Sequence, residues 1–239
     1  MRGIFTYNEL RNKIREALRY SRILVSGFWV VIILTVFLFS FVSWKYFRGE
    51  LPPPGKSENE AEHRPEYGAV AMVTAEKGLG SAFLLKDGFA LTAEHVVKGQ
   101  KTVKLHFVKF NIDATADVLI MHPKEDFALL RVAGEVSKIP PLTLGDSDLI
   151  EELEDVIVVG YPKGEWGATK GTLSLKSADR LKTDAAVNPG NSGGPLIYKK
   201  QNRVIGIIIE SHSEAEGMHY AVPINRVKEM LKNKNYAVQ

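Results

Sequence analysis

Asn188-Pro189-Gly190-Asn191-Ser192-Gly193-Gly194-Pro195 sets one serine inside a run of small residues. Such a run leaves backbone N–H groups free, and a tetrahedral oxyanion needs two donors held about 3 Å from it. The candidate donors are the amides of Gly190 and Ser192, with the Ser192 hydroxyl as candidate nucleophile. Gly193 and Gly194 let the chain turn back behind the serine, because glycine reaches positive φ at no steric cost. A Gly-x-Ser-x-Gly pattern alone recurs by chance in surface turns, so its meaning depends on what else the chain supplies.

A serine hydroxyl needs a base to take its proton and a carboxylate to hold that base in one tautomer. Both have candidates upstream. Thr92-Ala93-Glu94-His95-Val96-Val97 follows the apolar run Ser81–Leu85 and the turn Lys86-Asp87-Gly88, which places His95 just past a strand. Asp126 opens Asp126-Phe127-Ala128-Leu129-Leu130-Arg131-Val132, a short apolar run that reads as a buried strand with the carboxylate at its start. The chain order is then His95, Asp126, Ser192. An α/β-hydrolase runs nucleophile first, then acid, then histidine. After Ser192 this chain offers His212 and His219, the acids Glu210, Glu214, Glu216 and Glu229, no aspartate, and too few residues for the rest of such a sheet. The chymotrypsin-like order fits.

Gly80-Ser81-Ala82-Phe83, Thr92-Ala93-Glu94-His95-Val96, Asp126-Phe127-Ala128-Leu129-Leu130, Leu144-Gly145-Asp146-Ser147-Asp148 and the block from Thr183 to Pro195 together resemble an HtrA-type (Deg) serine protease. Gly206-Ile207-Ile208 and Tyr220-Ala221-Val222-Pro223-Ile224-Asn225 continue the likeness, which covers roughly Tyr67 to Leu231. The resemblance implies an all-β, chymotrypsin-like fold of two six-stranded barrels with the site in the cleft between them. It implies His95 as general base, Asp126 as its orienting carboxylate, Ser192 as nucleophile and Gly190 and Ser192 as the oxyanion hole. It implies protein or peptide substrates, no cofactor, and a homotrimer. HtrA-type proteases usually carry C-terminal PDZ domains, and this chain stops soon after the protease motifs, so a member lacking a PDZ domain is expected. Two residues depart from the family's habit: Phe127 follows the aspartate where an aliphatic residue is commoner, and Glu94 precedes the histidine where small or amide residues are usual.

The strand reading agrees. Residues 69–74, 81–85, 102–108, 126–132, 155–160 and 204–209 are short apolar or alternating runs broken by Gly, Pro and Asp, a pattern of many short strands with close turns. Barrel one is expected over about 67–140 and barrel two over about 141–222. Residues 223–234 read as a terminal helix with Ile224, Val227 and Leu231 on one face. No internal repeat is detectable. The absence of cysteine removes disulfide and thiol chemistry from consideration.

Ahead of this domain, residues 23–44 are uncharged and rich in Val, Ile, Leu and Phe, with Trp29 and Trp44 toward the ends. At 1.5 Å per helical residue the stretch is about 33 Å long, enough to span a bilayer. Phe41-Val42-Ser43-Trp44 is a poor cleavage site, so an uncleaved transmembrane anchor is expected rather than a signal peptide. Arg2, Arg11, Lys13, Arg15, Arg19 and Arg22 precede the span, against Lys45, Arg48 and Lys56 shortly after it. The positive-inside rule then puts residues 1–22 in the cytoplasm and the domain at 67–239 outside, in a periplasm or other extracytoplasmic space. Residues 45–66, with Pro52-Pro53-Pro54-Gly55 and a polar continuation, read as a flexible tether. Residues 66–239 carry 21 basic and 22 acidic side chains, so the globular part has no charge excess for nucleic acid.

Ala186, six residues before Ser192, falls where trypsin-like enzymes that cleave after Lys or Arg carry an aspartate. With Ile209, Met218 and His219 as the other candidate walls, a small or medium aliphatic residue is expected before the scissile bond. His212, Glu214, Glu216 and His219 lack the fixed spacing of a zinc motif, and no metal is expected. Two functions of different class remain. One is a membrane-tethered serine endopeptidase acting on misfolded or regulatory envelope proteins through an acyl-enzyme. The other is a catalytically silent protease-fold module that binds or signals at the membrane.

Overall fold

Short runs of β-branched and aromatic residues between glycine, proline and aspartate turns can bury their apolar faces only by curling sheets closed, and twelve antiparallel strands do so here among the described residues. The computed structural model describes residues 11–12, 15–16, 65–76, 78–209 and 217–238. The chain divides into two units, Met1–Glu58 and Asn59–Gln239. In the first, Arg11, Asn12, Arg15 and Glu16 are helical and exposed. The expected span at 23–44 and the tether through residue 64 lie outside the described residues. Among the described residues no helix is long and apolar enough to cross a membrane.

In the second unit the first barrel comprises β1 (Val70–Ala75), β2 (Gly78–Leu84), β3 (Phe89–Thr92), β4 (Thr102–Phe107), β5 (Ile112–His122) and β6 (Phe127–Ala133). They close in the order β1-β2-β3-β6-β5-β4. The seam pairs β1 with β4, Val73 opposite Leu105. The second barrel comprises β7 (Asp155–Gly160), β8 (Gly167–Lys176), β9 (Leu181–Thr183), β10 (Pro195–Tyr198), β11 (Arg203–Ile209) and β12 (His219–Pro223). Its seam pairs β7 with β10, and its closed order β7-β8-β9-β12-β11-β10 is that of the first barrel. The two barrels thus repeat one topology with no repeat in the sequence.

Period-two burial fills the interiors. Along β4 the residues Val103, Leu105 and Phe107 point inward between more exposed neighbours. Strands β6, β7 and β11 are apolar over most of their length, because they are covered on both faces. Leu173, Leu181, Leu196, Ile205 and Ile208 fill the second barrel. A terminal helix over Ile224–Lys232 follows β12 directly and buries Ile224, Val227 and Leu231, the three residues expected on its inner face.

Contacts between the barrels fix the cleft. Tyr161, fully buried just after β7, donates its hydroxyl to the Val70 carbonyl of β1 at 3.0 Å. Burial pushes that phenol up to about 12, so it stays a donor across the physiological range. The Leu142 amide bonds the Leu84 carbonyl at 2.9 Å, and Leu144 forms a parallel bridge to Val204, which stitches the interbarrel segment to both.

The expected strands at 69–74, 81–85, 102–108, 126–132, 155–160 and 204–209 each fall on an observed one within a few residues. Strands β3, β5, β8, β9, β10 and β12 come in addition. Of these, β5 is interrupted by Asp113 and Asp117 before its apolar run Val118–Met121, and β8 is rich in Gly, Thr and Ser and presents no compact apolar run.

Candidate active site

His95 lies in α1 (Glu94–Val97), a single turn entered directly from β3. Ala93 precedes that turn and has no side chain to cap it, so the first amides need another acceptor. Asp126 supplies it: its Oδ1 accepts the His95 backbone N–H at 3.0 Å. The same carboxylate meets His95 Nδ1, at 3.0 Å to Oδ1 and 2.8 Å to Oδ2. An Asp-facing Nδ1–H fixes the tautomer in which Nε2 is the basic nitrogen.

Asp126 reaches this position through an uncommon backbone. It follows the turn after β5, its amide bonds the His122 carbonyl at 2.9 Å, and its φ is 57°. Asp is among the few residues that tolerate the left-handed region, and the kink aims the side chain across the strand ends toward α1. The preceding residue is tied down as firmly. Glu125 is 2 % exposed. It receives Arg226 of the terminal helix at 2.7 and 2.8 Å and Arg180 of the β8–β9 connection at 3.4 Å. The Arg226 hydrogen bond, against the opposing effect of burial, holds the Glu125 carboxyl below its ordinary range.

The serine loop crosses between the barrels. Ser192 accepts the Ser81 amide of β2 on its carbonyl at 2.8 Å. Gly193 donates to Ile208 at 2.7 Å, Asn191 donates to Asn188 at 3.0 Å, and Lys163 donates to Pro189 at 3.0 Å. The buried Ser81 hydroxyl bridges the two barrels, donating to the Gly190 carbonyl at 2.7 Å and accepting the Tyr161 amide at 3.0 Å. Thr92 donates to the Ser81 carbonyl at 2.7 Å. Gly190 has φ 106° and faces the Tyr161 carbonyl so closely that a Cβ would collide with it. Gly193, at φ 86°, stands against the Ser81 carbonyl and the Thr92 hydroxyl in the same way. Among the described residues neither the Gly190 nor the Ser192 amide donates to any acceptor. Two backbone donors beside a serine are the arrangement an oxyanion requires.

His95 and Ser192 line one cleft of about 180 Å³ with Leu79, Val96, Pro189 and Gly190. His95 also lines a second cavity of about 450 Å³ with Asp126, Glu94, Pro123, Lys124, Arg180, Ile209 and Tyr220. The structure therefore brings together His95, Asp126, Ser192 and Gly190. Of the expected specificity residues, Ile209 sits in the second cavity, while Ala186, Met218 and His219 line neither. Ala186 is exposed, with its carbonyl accepting the Thr169 hydroxyl at 2.7 Å. His219 pairs with Thr183 across β12 and β9, and burial lowers its basicity below the ordinary histidine range. Of the His212, Glu214, Glu216 and His219 group only His219 lies within the described residues.

Sequence reasoning missed Ser81 and the Glu125–Arg226 pair. Their partners lie 109 and 101 residues away, and a buried serine in an apolar strand or a glutamate in a charged turn carries no local sign of either.

A family model described as "Trypsin-like peptidase domain" matches residues 80–207. A "Probable periplasmic serine endoprotease DegP-like" of Hahella chejuensis is 34% identical over 159 residues, covering 61% of this chain and 33% of that protein. "Magnetosome formation protease MamE" of Paramagnetospirillum magneticum is 34% identical over 187 residues, covering 69% of this chain and 24% of that protein. The chain thus spans a third or less of the length of these two relatives. Among solved structures, "HtrA-type protease AlgW with tripeptide" superposes with a TM-score of 0.63 at 29% identity, over 73% of this chain and 62% of that one.

Proposed function

The chain belongs to the trypsin-like peptidase domain family, and from that premise we propose that it is a serine endopeptidase working through an acyl-enzyme. The observation that carries this reading is the Asp126 carboxylate held on His95 Nδ1 while His95 and Ser192 share one cleft. In the proposed mechanism His95 Nε2 takes the Ser192 proton as Oγ attacks the scissile carbonyl. Asp126 stabilises the imidazolium that forms. The amides of Gly190 and Ser192 receive the oxyanion, and His95 then returns the proton to the leaving amine. A second round with water in place of the amine frees Ser192.

The reading extends to location. Relatives named as periplasmic endoproteases support a domain outside the cytoplasm, and the apolar stretch 23–44 with its basic N-terminal flank supports a single-pass anchor with residues 1–22 inside. The substrates would be misfolded or regulatory envelope proteins. Ala186, which offers no charge, supports a small or medium aliphatic residue before the scissile bond. Assembly as a homotrimer follows from the HtrA resemblance, and sedimentation of the detergent-solubilised chain tests it.

Fluorophosphonate labelling of the full-length chain in membranes, beside Ser192→Ala, tests the central reading. Labelling that is lost in the variant is expected. A wild-type chain that takes no label would overturn the endopeptidase and leave a protease-fold binding module.

A further inference from the structure

Glu94 is 6 % exposed, yet its carboxylate makes no hydrogen bond and no ion pair among the described residues. It lines the cavity of about 450 Å³ on which His95 also opens. The small exposed part of Glu94 opens on that cavity, so its carboxylate keeps contact with water and is accessible to a donor that enters, and the partly enclosed surroundings strengthen such a contact relative to open solvent.

The other charged groups in that wall are engaged or hydrated. Asp126 is occupied by the His95 ring and amide. The Arg180 guanidinium donates to the Asp179 carbonyl at 2.8 Å and meets Glu125 at 3.4 Å. Lys124 is exposed, so water screens its charge from the cavity. Ile209, buried, and Tyr220, half-buried, supply apolar wall against which a methylene chain can lie.

We propose that this cavity is a subsite for a lysine or arginine side chain of the substrate, its stem against Ile209 and Tyr220 and its cationic head on Glu94. The proposal rests on the endopeptidase reading and adds a substrate class to it. Because the cavity and the Ser192 cleft share His95, and an extended chain rises about 3.3 Å per residue, the basic residue stands within about two positions of the scissile bond. It is distinct from the aliphatic residue expected immediately before that bond. Glu94 supplies the selectivity, and the residue usual at this place in HtrA-type chains would not.

The test is equilibrium binding of labelled peptides to the full-length Ser192→Ala chain. The peptides carry an aliphatic residue before the bond and lysine, norleucine or glutamate at each nearby position in turn. At one position lysine is expected to bind about tenfold more tightly than norleucine, the size of a charge-assisted hydrogen bond, with glutamate weakest. In Ser192→Ala/Glu94→Gln the lysine advantage is expected to vanish. Equal binding of lysine and norleucine at every position, tighter binding of glutamate, or no binding of any peptide would each overturn the subsite. The lysine and norleucine comparison uses Glu94 intact, so it stands even if the double variant does not fold. Labelling of the wild-type chain by fluorophosphonate without a lysine preference sinks the subsite alone. A lysine preference without labelling sinks the endopeptidase alone.

Discussion

Arg226, on the terminal helix, grips Glu125 through Nε and Nη2 at 2.7 and 2.8 Å, and Glu125 is the residue directly before Asp126. The helix belongs to the end of the chain and the turn to the first barrel. This pair therefore couples the last element along the chain with the residue directly before the carboxylate that meets His95 Nδ1. It also explains why a charged residue can be buried in a turn: both Glu125 oxygens have a guanidinium donor.

Removing the Arg226 cation leaves the buried Glu125 with only the longer Arg180 contact, at 3.4 Å. Arg226→Met is expected to lower stability by about 2 kcal/mol, less than a fully buried pair would because the Arg226 side chain is partly exposed. The sign with pH follows from the Glu125 carboxyl, whose folded value lies below its ordinary 4.5. The stabilisation is fully present above that ordinary value and disappears as pH falls through the folded value. Melting curves of the two chains should therefore differ near neutrality and converge in acid. A gap of constant size down to the acid limit would remove the pair as its source.

Asp126→Asn tests the tautomer argument without disturbing the backbone. Asparagine tolerates the φ of 57° as well as aspartate does, so the turn is expected to survive. An amide NH₂ facing His95 Nδ1 favours the tautomer whose proton sits on Nε2, where the base is needed. The rate of fluorophosphonate labelling is expected to fall by about four orders of magnitude at neutral pH. Labelling within tenfold of wild type would mean that Asp126 serves chiefly as the cap on the His95 amide.

The residues that could be read from the chain and those that could not differ in how far apart their partners lie. Ser192 announces itself because the candidate oxyanion donors, the amides of Gly190 and of Ser192 itself, are local. His95 and Asp126 sit at the borders of apolar runs, and periodicity marks those borders even though it does not show that they meet. The inner face of the terminal helix was legible from the spacing of Ile224, Val227 and Leu231. Strand β8 was not, because it is small and hydroxylated, and β5 went unread although Val118–Met121 is apolar, its first half being broken by Asp113 and Asp117; the closure of each barrel gives both a role. The repeated barrel topology is likewise a property of pairing rather than of residues. Ser81 reads as an unremarkable strand residue until the second barrel brings Gly190 and Tyr161 against it.

Gly193→Ala is expected to prevent the loop from closing. Its φ of 86° disfavours any side chain, and the new methyl would occupy the space of the Ser81 carbonyl and the Thr92 hydroxyl. Those atoms belong to strands of the first barrel and have no room to retreat. The expected outcome is a chain that takes no label and melts well below wild type. A variant that labels at the wild-type rate would show that the loop has another conformation available.

Ser81→Ala removes one oxygen and leaves two buried groups, the Gly190 carbonyl and the Tyr161 amide, without their partner. Each orphaned group costs about 1–3 kcal/mol, so a loss of about 2 kcal/mol or more is expected in a denaturant melt. The functional effect is separable from that loss. The Ser81 hydroxyl holds the carbonyl of the residue whose amide is proposed to receive the oxyanion, and loosening it should blunt the donor without touching Ser192 or His95. Measured on the folded fraction, labelling is expected to slow by about tenfold, well short of the loss from deleting a donor outright. If folded Ser81→Ala labels as fast as wild type, the bridge serves stability alone, and the Ser81 amide bond to the Ser192 carbonyl suffices to place the loop.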